Sequence, residues 1–136
     1  MMMRSWLNQQ MRADPALTAL VGTRIYPSTR IREDQSTRDL EKPFIVYRTS
    51  SELSNLRGDG SDLVKVQAFQ IFVHDIPGDY MQIDSILSAL EDLLSDTVDQ
   101  AAGVIRCEWI ENSEDFRDDD MGTILRYSRI QIKYGA

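Results

Sequence analysis

Hydrophobic positions recur along this chain with two periods, and the switches between them divide it into elements. In residues 3–13, MRSWLNQQMRA, Met3, Trp6, Leu7 and Met11 fall at three- and four-residue steps, the spacing that lines one face of a helix. Asp14-Pro15 reads as an N-cap followed by proline at the first helical position, where a missing N–H costs nothing. PALTALV then makes a short second helix that stops at Gly22, a C-cap residue. Arg24 to Pro27 is a brief extended piece. Residues 28–42, STRIREDQSTRDLEK, are polar, mixed in charge and without period, and read as a long loop.

From Pro43 onward a period of two dominates. PFIVYRTSS is rich in β-branched and aromatic residues and predicts a strand from Phe44 to about Ser50. SELSNLRGDGSD reads as a loop, in which Arg57-Gly58-Asp59 is a hairpin turn and only by coincidence of letters an adhesion tripeptide. Leu63 to His74, LVKVQAFQIFVH, is the longest strand: Phe69, Ile71 and Val73 share one face, Val64, Val66, Ala68 and Phe72 the other. Apolar residues on both faces place it centrally in a sheet. Ile83, Ile86, Leu87, Leu90, Leu93 and Leu94 then form a clean amphipathic stripe, with Asp84, Glu91, Asp92 and Asp96 on the wetter side.

Two closing strands follow. VIRCEWIE puts Ile105, Cys107 and Trp109 on one face; TILRYSRIQIKY puts Ile124, Ile130, Ile132 and Tyr134 on one face and Leu125, Tyr127, Arg129 and Lys133 on the other. The order α-α-β-β-α-β-β predicts an α+β domain. An antiparallel sheet of about four strands is packed by an N-terminal helix and one long amphipathic helix. The whole of 1–136 reads as one domain, the loop at 28–42 included.

Charge changes the picture more than composition does. The formal net charge is −7, and it is uneven: residues 1–48 carry eight Lys/Arg against five Asp/Glu, residues 49–136 seven against seventeen. Affinity for nucleic acid comes mostly from neutralising phosphates, so a chain this acidic is ill suited to gripping DNA or RNA. Hydrophobic residues make up 42%, yet no stretch approaches the roughly 18 consecutive apolar residues of a membrane helix, and the start lacks the apolar run of a secretory signal. No membrane association is expected. The single cysteine, Cys107, allows no internal disulfide and no C-x-x-C motif, which suits a reducing compartment.

Catalytic chemistry finds little to stand on. His74 is the only histidine and closes an apolar strand, which makes it a strand-end or capping residue; Cys107 alternates with Ile105 and Trp109 and reads as a core thiol. No phosphate-binding glycine loop or nucleophile elbow is present. The remaining candidate is SEDFRDDDMG, with Glu111 just ahead of it: Glu111, Glu114, Asp115, Asp118, Asp119 and Asp120 stand against Arg117 alone. A calcium-binding loop needs oxygen ligands at alternate positions, glycine at the sixth and glutamate at the twelfth. Starting from Asp115 the third position is Arg117, and starting from Asp118 the fifth is Gly122; neither fits. An irregular divalent-metal site, a solvated loop and a surface that works by its negative charge all stay open on the residues alone. No cofactor is expected.

The ordered blocks of the sequence carry a resemblance. Ala16, Leu17, Leu20, Val21, Gly22, Arg24, Ile25, Tyr26 and Pro27 form the first, Pro43 to Tyr47 the second, and Phe69 to Val73 the third, ahead of the Ile/Leu helix and two closing strands. From about residue 5 to 134 the set resembles the tail-completion and tail-terminator proteins of long-tailed bacteriophages. The density of carboxylates at 111–120 is not part of that pattern.

The resemblance implies a structural virion protein and no enzyme. In that family a ring, typically hexameric, caps the tail tube, meets the connector or stopper of the head, and lets DNA pass through its bore. The partners so implied are further copies of the chain, the major tail tube protein and the head–tail connector. The place is the head–tail junction of the virion, after assembly in the host cytoplasm. On this basis the acidic segment is expected to line the bore or face a partner, and Arg30, Arg32, Arg38 and Lys42 to mark a docking loop. Trp6, Leu7 and Met11 are candidates for a ring interface, or for covering the chain's own sheet. Another neck component or a tube subunit is the nearest alternative; a small metal-dependent enzyme or an acidic DNA-mimicking adaptor lies further off.

Overall fold

The computed structural model describes residues 3–27, 41–56 and 62–135. Helix α1 spans Met3–Ala13 and buries Met3, Trp6, Leu7 and Met11, the stripe its spacing predicts. Helix α2, Pro15–Val21, is capped at both ends by sequence-local chemistry. The extended Asp14 accepts a hydrogen bond from the Leu17 N–H at 2.9 Å, and Gly22, at φ 60°, returns its N–H to the Thr18 carbonyl at 2.8 Å. A side chain at Gly22 would be strained by that φ and would also crowd Arg24 Nη1 at 3.3 Å.

The strands are β1 (Ile25–Pro27), β2 (Phe44–Leu56), β3 (Asp62–Asp75), β4 (Val104–Asn112), β5 (Phe116–Asp118) and β6 (Thr123–Gly135), with helix α3 (Met81–Leu94) between β3 and β4. They form one sheet in the order β1-β2-β3-β6-β4, with β5 also pairing β6. The α+β class stands; the expected order of helices and strands matches only in part, and the sheet is mixed and six-stranded where about four antiparallel strands were expected. The additions are three-residue strands, too short to show an alternating period. One of them, β1, runs parallel to β2, with Ile25 opposite Ile45 and Pro27 opposite Tyr47. The β2–β3 hairpin is as expected but longer: residues 51–56, mostly polar, join the ladder, so much of the segment read as loop is strand. The turn at Arg57-Gly58-Asp59 lies outside the described residues, as do residues 28–40 of the expected loop.

The core lies between one face of the sheet and the three helices. Ile45, Tyr47, Phe69, Ile71, Val73, Cys107, Ile130 and Ile132 meet Trp6, Leu7, Met11 and the α3 stripe of Ile83, Ile86, Leu87, Leu90 and Leu94. Each such Leu or Ile contributes about 1.5–3 kcal/mol on burial, which explains why α3 is the element most plainly written in the sequence. Trp6 also ties α1 to the turn before β4, its indole N–H donating to Asp99 Oδ2 at 2.9 Å.

One expected face is overturned. Ile105 does not share a face with Cys107: it is 48% exposed, while Val104 and Cys107 are buried. The ladder steps from Val104↔Tyr134 to Arg106↔Lys133, so Ile105 is the extra residue of a bulge, and the alternation slips there by one. A second slip, between Trp109 and Glu111, leaves Ile110 bulged and 43% exposed.

Candidate functional site

The acidic segment is the edge of the sheet. Strand β4 pairs the C-terminal half of β6 and β5 pairs its start, Phe116 against Leu125 and Asp118 against Thr123. Both lie on the side of β6 away from β3, so residues 104–118 make one edge with a jog at 113–115. Ser113 fixes the jog. Its N–H donates to the Tyr127 carbonyl at 2.7 Å, its Oγ accepts from the Tyr127 N–H at 2.9 Å, and its carbonyl accepts from Arg126 Nε at 3.1 Å.

Along this edge Glu111, Glu114, Asp115, Asp119 and Asp120 are exposed and Asp118 is half-buried. Glu111 pairs with Arg129 at 2.9 Å, and Asp115 stands 3.7 Å from Arg126. Asp118 Oδ1 accepts from the Met121 N–H at 3.1 Å and so shapes the turn into β6. Exposed pairs of this kind are worth little in stability, and their consequence is electrostatic: a negative rim held in place by backbone pairing. Among the described residues no three His, Cys, Asp or Glu side chains converge as metal ligands.

An aromatic row lies beside the carboxylates, on the sheet face away from the helices. Phe72 on β3 sits opposite Tyr127 on β6, with ring centroids 5.2 Å apart, and Phe116 stacks on Tyr127 at 6.0 Å and 12°. The Arg48 guanidinium covers the other end of the row, 5.2 Å from the Phe72 centroid. Phe116 remains 38% exposed. Together with Leu125 these rings floor a groove of about 580 Å³ whose rim is Arg117, Asp118, Asp119 and Asp120.

His74 and Cys107 are packing residues. His74 stacks on Phe44 at 4.8 Å and 8°, with Nδ1 2.8 Å from Thr123 Oγ1. Burial lowers its pKa from 6.5 to about 4, against a smaller upward pull from Asp118 and with a small downward push from Lys42. Burial likewise raises the Cys107 thiol to about 12, so the thiolate a nucleophile needs is absent at neutral pH.

The other expected site residues divide. Arg30, Arg32 and Arg38 lie outside the described residues; Lys42 is half-buried just ahead of β2. Of the two roles expected for Trp6, Leu7 and Met11, the burial fits covering the chain's own sheet: all three are fully buried in its core. The same helix instead places Arg4 and Arg12 along the β1–β2 edge: Arg4 donates to Thr49 Oγ1 at 2.8 Å and Arg12 to the Ile25 carbonyl at 2.6 Å. The two edges of the sheet are therefore unlike, one arginine-lined and the other acidic. Sequence reasoning missed the aromatic row. Phe72 and Tyr127 each show as outward positions on their own strands, but only the cross-strand register brings them together, and Phe116 is hidden among carboxylates.

Comparison with known proteins bears on what such a surface is for. The family described as Tail completion protein gp17 matches residues 6–135. Among solved structures, a chain of the "Virion of native gene transfer agent (GTA) particle" superposes with a TM-score of 0.69 at 19% identity. That alignment covers 96% of this chain and 92% of the other, and at that identity it shows a shared fold. No curated protein sequence matches. The family is one of structural proteins of the phage tail and not of enzymes, and a match over nearly the whole chain is decisive: this protein belongs to the gp17 tail completion family.

Proposed function

We propose that the protein is a tail terminator: copies of the chain close into a ring, six by the family resemblance, that caps the tail tube and joins it to the neck of the head. The observation that carries this reading is the unlikeness of the two sheet edges. A two-fold dimer needs a self-complementary patch, whereas an arginine-lined edge and an acidic edge fit each other head to tail, and head-to-tail contacts close into rings when the rotation allows. On the β1–β2 side stand Arg4 and Arg12; on the β4–β5 side stand Glu111, Glu114 and Asp115.

A hexamer would carry six times the −7 of one chain. Carboxylates turned toward the bore repel DNA phosphates and so let the duplex slide without sticking, which a basic lining would prevent. Native mass spectrometry and negative-stain microscopy of the purified chain, alone and with isolated tail tubes, test the proposal. Single rings, free or seated on tube ends, are the expected result. Stacks that lengthen without limit would make the chain a tube subunit, and a chain that binds only the head side would make it another neck component.

A further inference from the structure

The aromatic row already holds one guanidinium. Arg48 lies over Phe72 at one end, its Cζ 5.2 Å from the ring centroid, and its Nε donates to Gln70 Oε1 at 2.8 Å, which steadies it there. At the other end Phe116 stacks one face on Tyr127 and is still 38% exposed, with the aspartate rim beside it. We propose that this open end receives an arginine side chain of a different virion protein, so that the groove is a docking socket for a basic segment of a partner. The socket belongs to a single subunit, so the inference goes beyond the ring reading and does not depend on it.

Chemistry selects the guanidinium. The floor offers aromatic faces, and the rim carries three aspartates against Arg117 alone. A planar guanidinium stacks on a ring and still presents N–H donors along its edge, so one group can lie on Phe116 and reach a rim carboxylate at the same time. A lysine ammonium is a compact, strongly hydrated charge without that plane, and it satisfies the rim better than the ring. The aliphatic stem of an arginine covers apolar surface beside Tyr127 and Leu125 while its head stays at the rim. Anions, nucleic-acid phosphates among them, are turned away by the same carboxylates.

A second copy of the chain supplies no such arginine among its described residues. All except Arg117 already donate within their own fold, and Arg117 stands on the rim itself. Drawing one of them into a neighbour's groove would first break those bonds, and a guanidinium's hydrogen bond is worth about 1.5–3 kcal/mol. Charge points the same way. The groove is built wholly from residues 49–136, which carry seven Lys/Arg against seventeen Asp/Glu, so the surface that complements it is a basic one from elsewhere.

The test titrates a blocked peptide of alternating glycine and arginine into the full-length protein. It follows the amide resonances of Phe116, Leu125 and Tyr127, with Glu91 and Asp92 on α3 as controls for charge alone. Saturable shifts at the first three and none at the controls are expected. Phe116→Leu keeps the apolar bulk and removes the ring face, and should weaken binding about threefold to thirtyfold. Asp120→Asn, at an exposed position, should weaken it about twofold to fivefold. The matching lysine peptide should bind more weakly, and a citrulline peptide, of the same shape without the charge, should not saturate. Lysine bound as tightly as arginine, an affinity unchanged by either substitution, or equal shifts at Glu91 and Asp92 would reduce the effect to general charge attraction and overturn the inference. So would a groove that takes up no peptide at millimolar concentration. Shifts at Phe116 and Tyr127 on diluting the protein alone would put a second copy's Arg117 in the socket, and would overturn it too. Ring formation is read separately by mass spectrometry: arginine binding by a chain that never forms rings keeps the socket and sinks the ring.

Discussion

Arg126 stands between helix α3 and the acidic edge, its Nη1 2.6 Å from Asp84 Oδ1 and its Nε 3.7 Å from Asp115 Oδ1. The same Nε donates to the Ser113 carbonyl at 3.1 Å, so one half-buried guanidinium holds the jog between β4 and β5 against the helix layer. Arg126→Met keeps the stem and removes the donors. It should cost roughly 1–2 kcal/mol in urea unfolding, most of it from the partly buried carbonyl contact, because exposed carboxylates return little. Hydrogen exchange at residues 113–116 should quicken while that of α3 stays unchanged. Equal protection in the two proteins would show that backbone pairing alone holds the edge.

Acid should destabilise the fold through His74. The unfolded chain takes up this proton near pH 6.5 and the folded chain only near pH 4, because the buried ring resists charging. The sign follows: the contribution is complete above pH 6.5, and it declines as pH falls toward 4 because the unfolded state then binds more protons. Over that window the loss amounts to about 3 kcal/mol at most. Denaturant midpoints of wild type and His74→Gln at pH 7, 5.5 and 4.5 check it. The variant should show the shallower decline, since the carboxylates contribute to both alike; parallel curves would remove His74 from the account.

Cys107 should be silent to thiol reagents in the native state. It is buried opposite Ile132 and its thiol is held near 12, so a disulfide reagent at neutral pH meets neither access nor thiolate. Labelling is expected to proceed at the rate of global unfolding and to complete at once in denaturant. Fast labelling without unfolding would mean that the β4 edge opens by itself.

What the sequence shows and what it hides follow from how far each interaction reaches along the chain. The caps of α2 and the stripe of α3 are set by residues within a turn or two of one another, and they were legible to the residue. Phe69, Ile71 and Val73 were legible as one face, and it is the face that enters the core, because a buried face repeats at every second position. Ile105 was misplaced because a bulge is a decision about register, made with β6, and no period announces it. The groove was invisible for a stronger reason: Phe72, Phe116 and Tyr127 come from three strands and meet only through pairing. The carboxylates were visible as composition, but that they ride on a paired edge was not.

The two bulges on β4 have a practical consequence. An outer strand that presents an unbroken row of amides and carbonyls invites any passing strand to add to it, and then another. Here the row is already occupied at Val104 and Cys107, whose backbones pair with Asp99 and with Asp96 and Thr97, and it is broken by the bulges at Ile105 and Ile110, so it offers no long template for runaway stacking of strands. A visitor must be held by what its side chains find there, and contacts of that sort can be chosen, counted and let go.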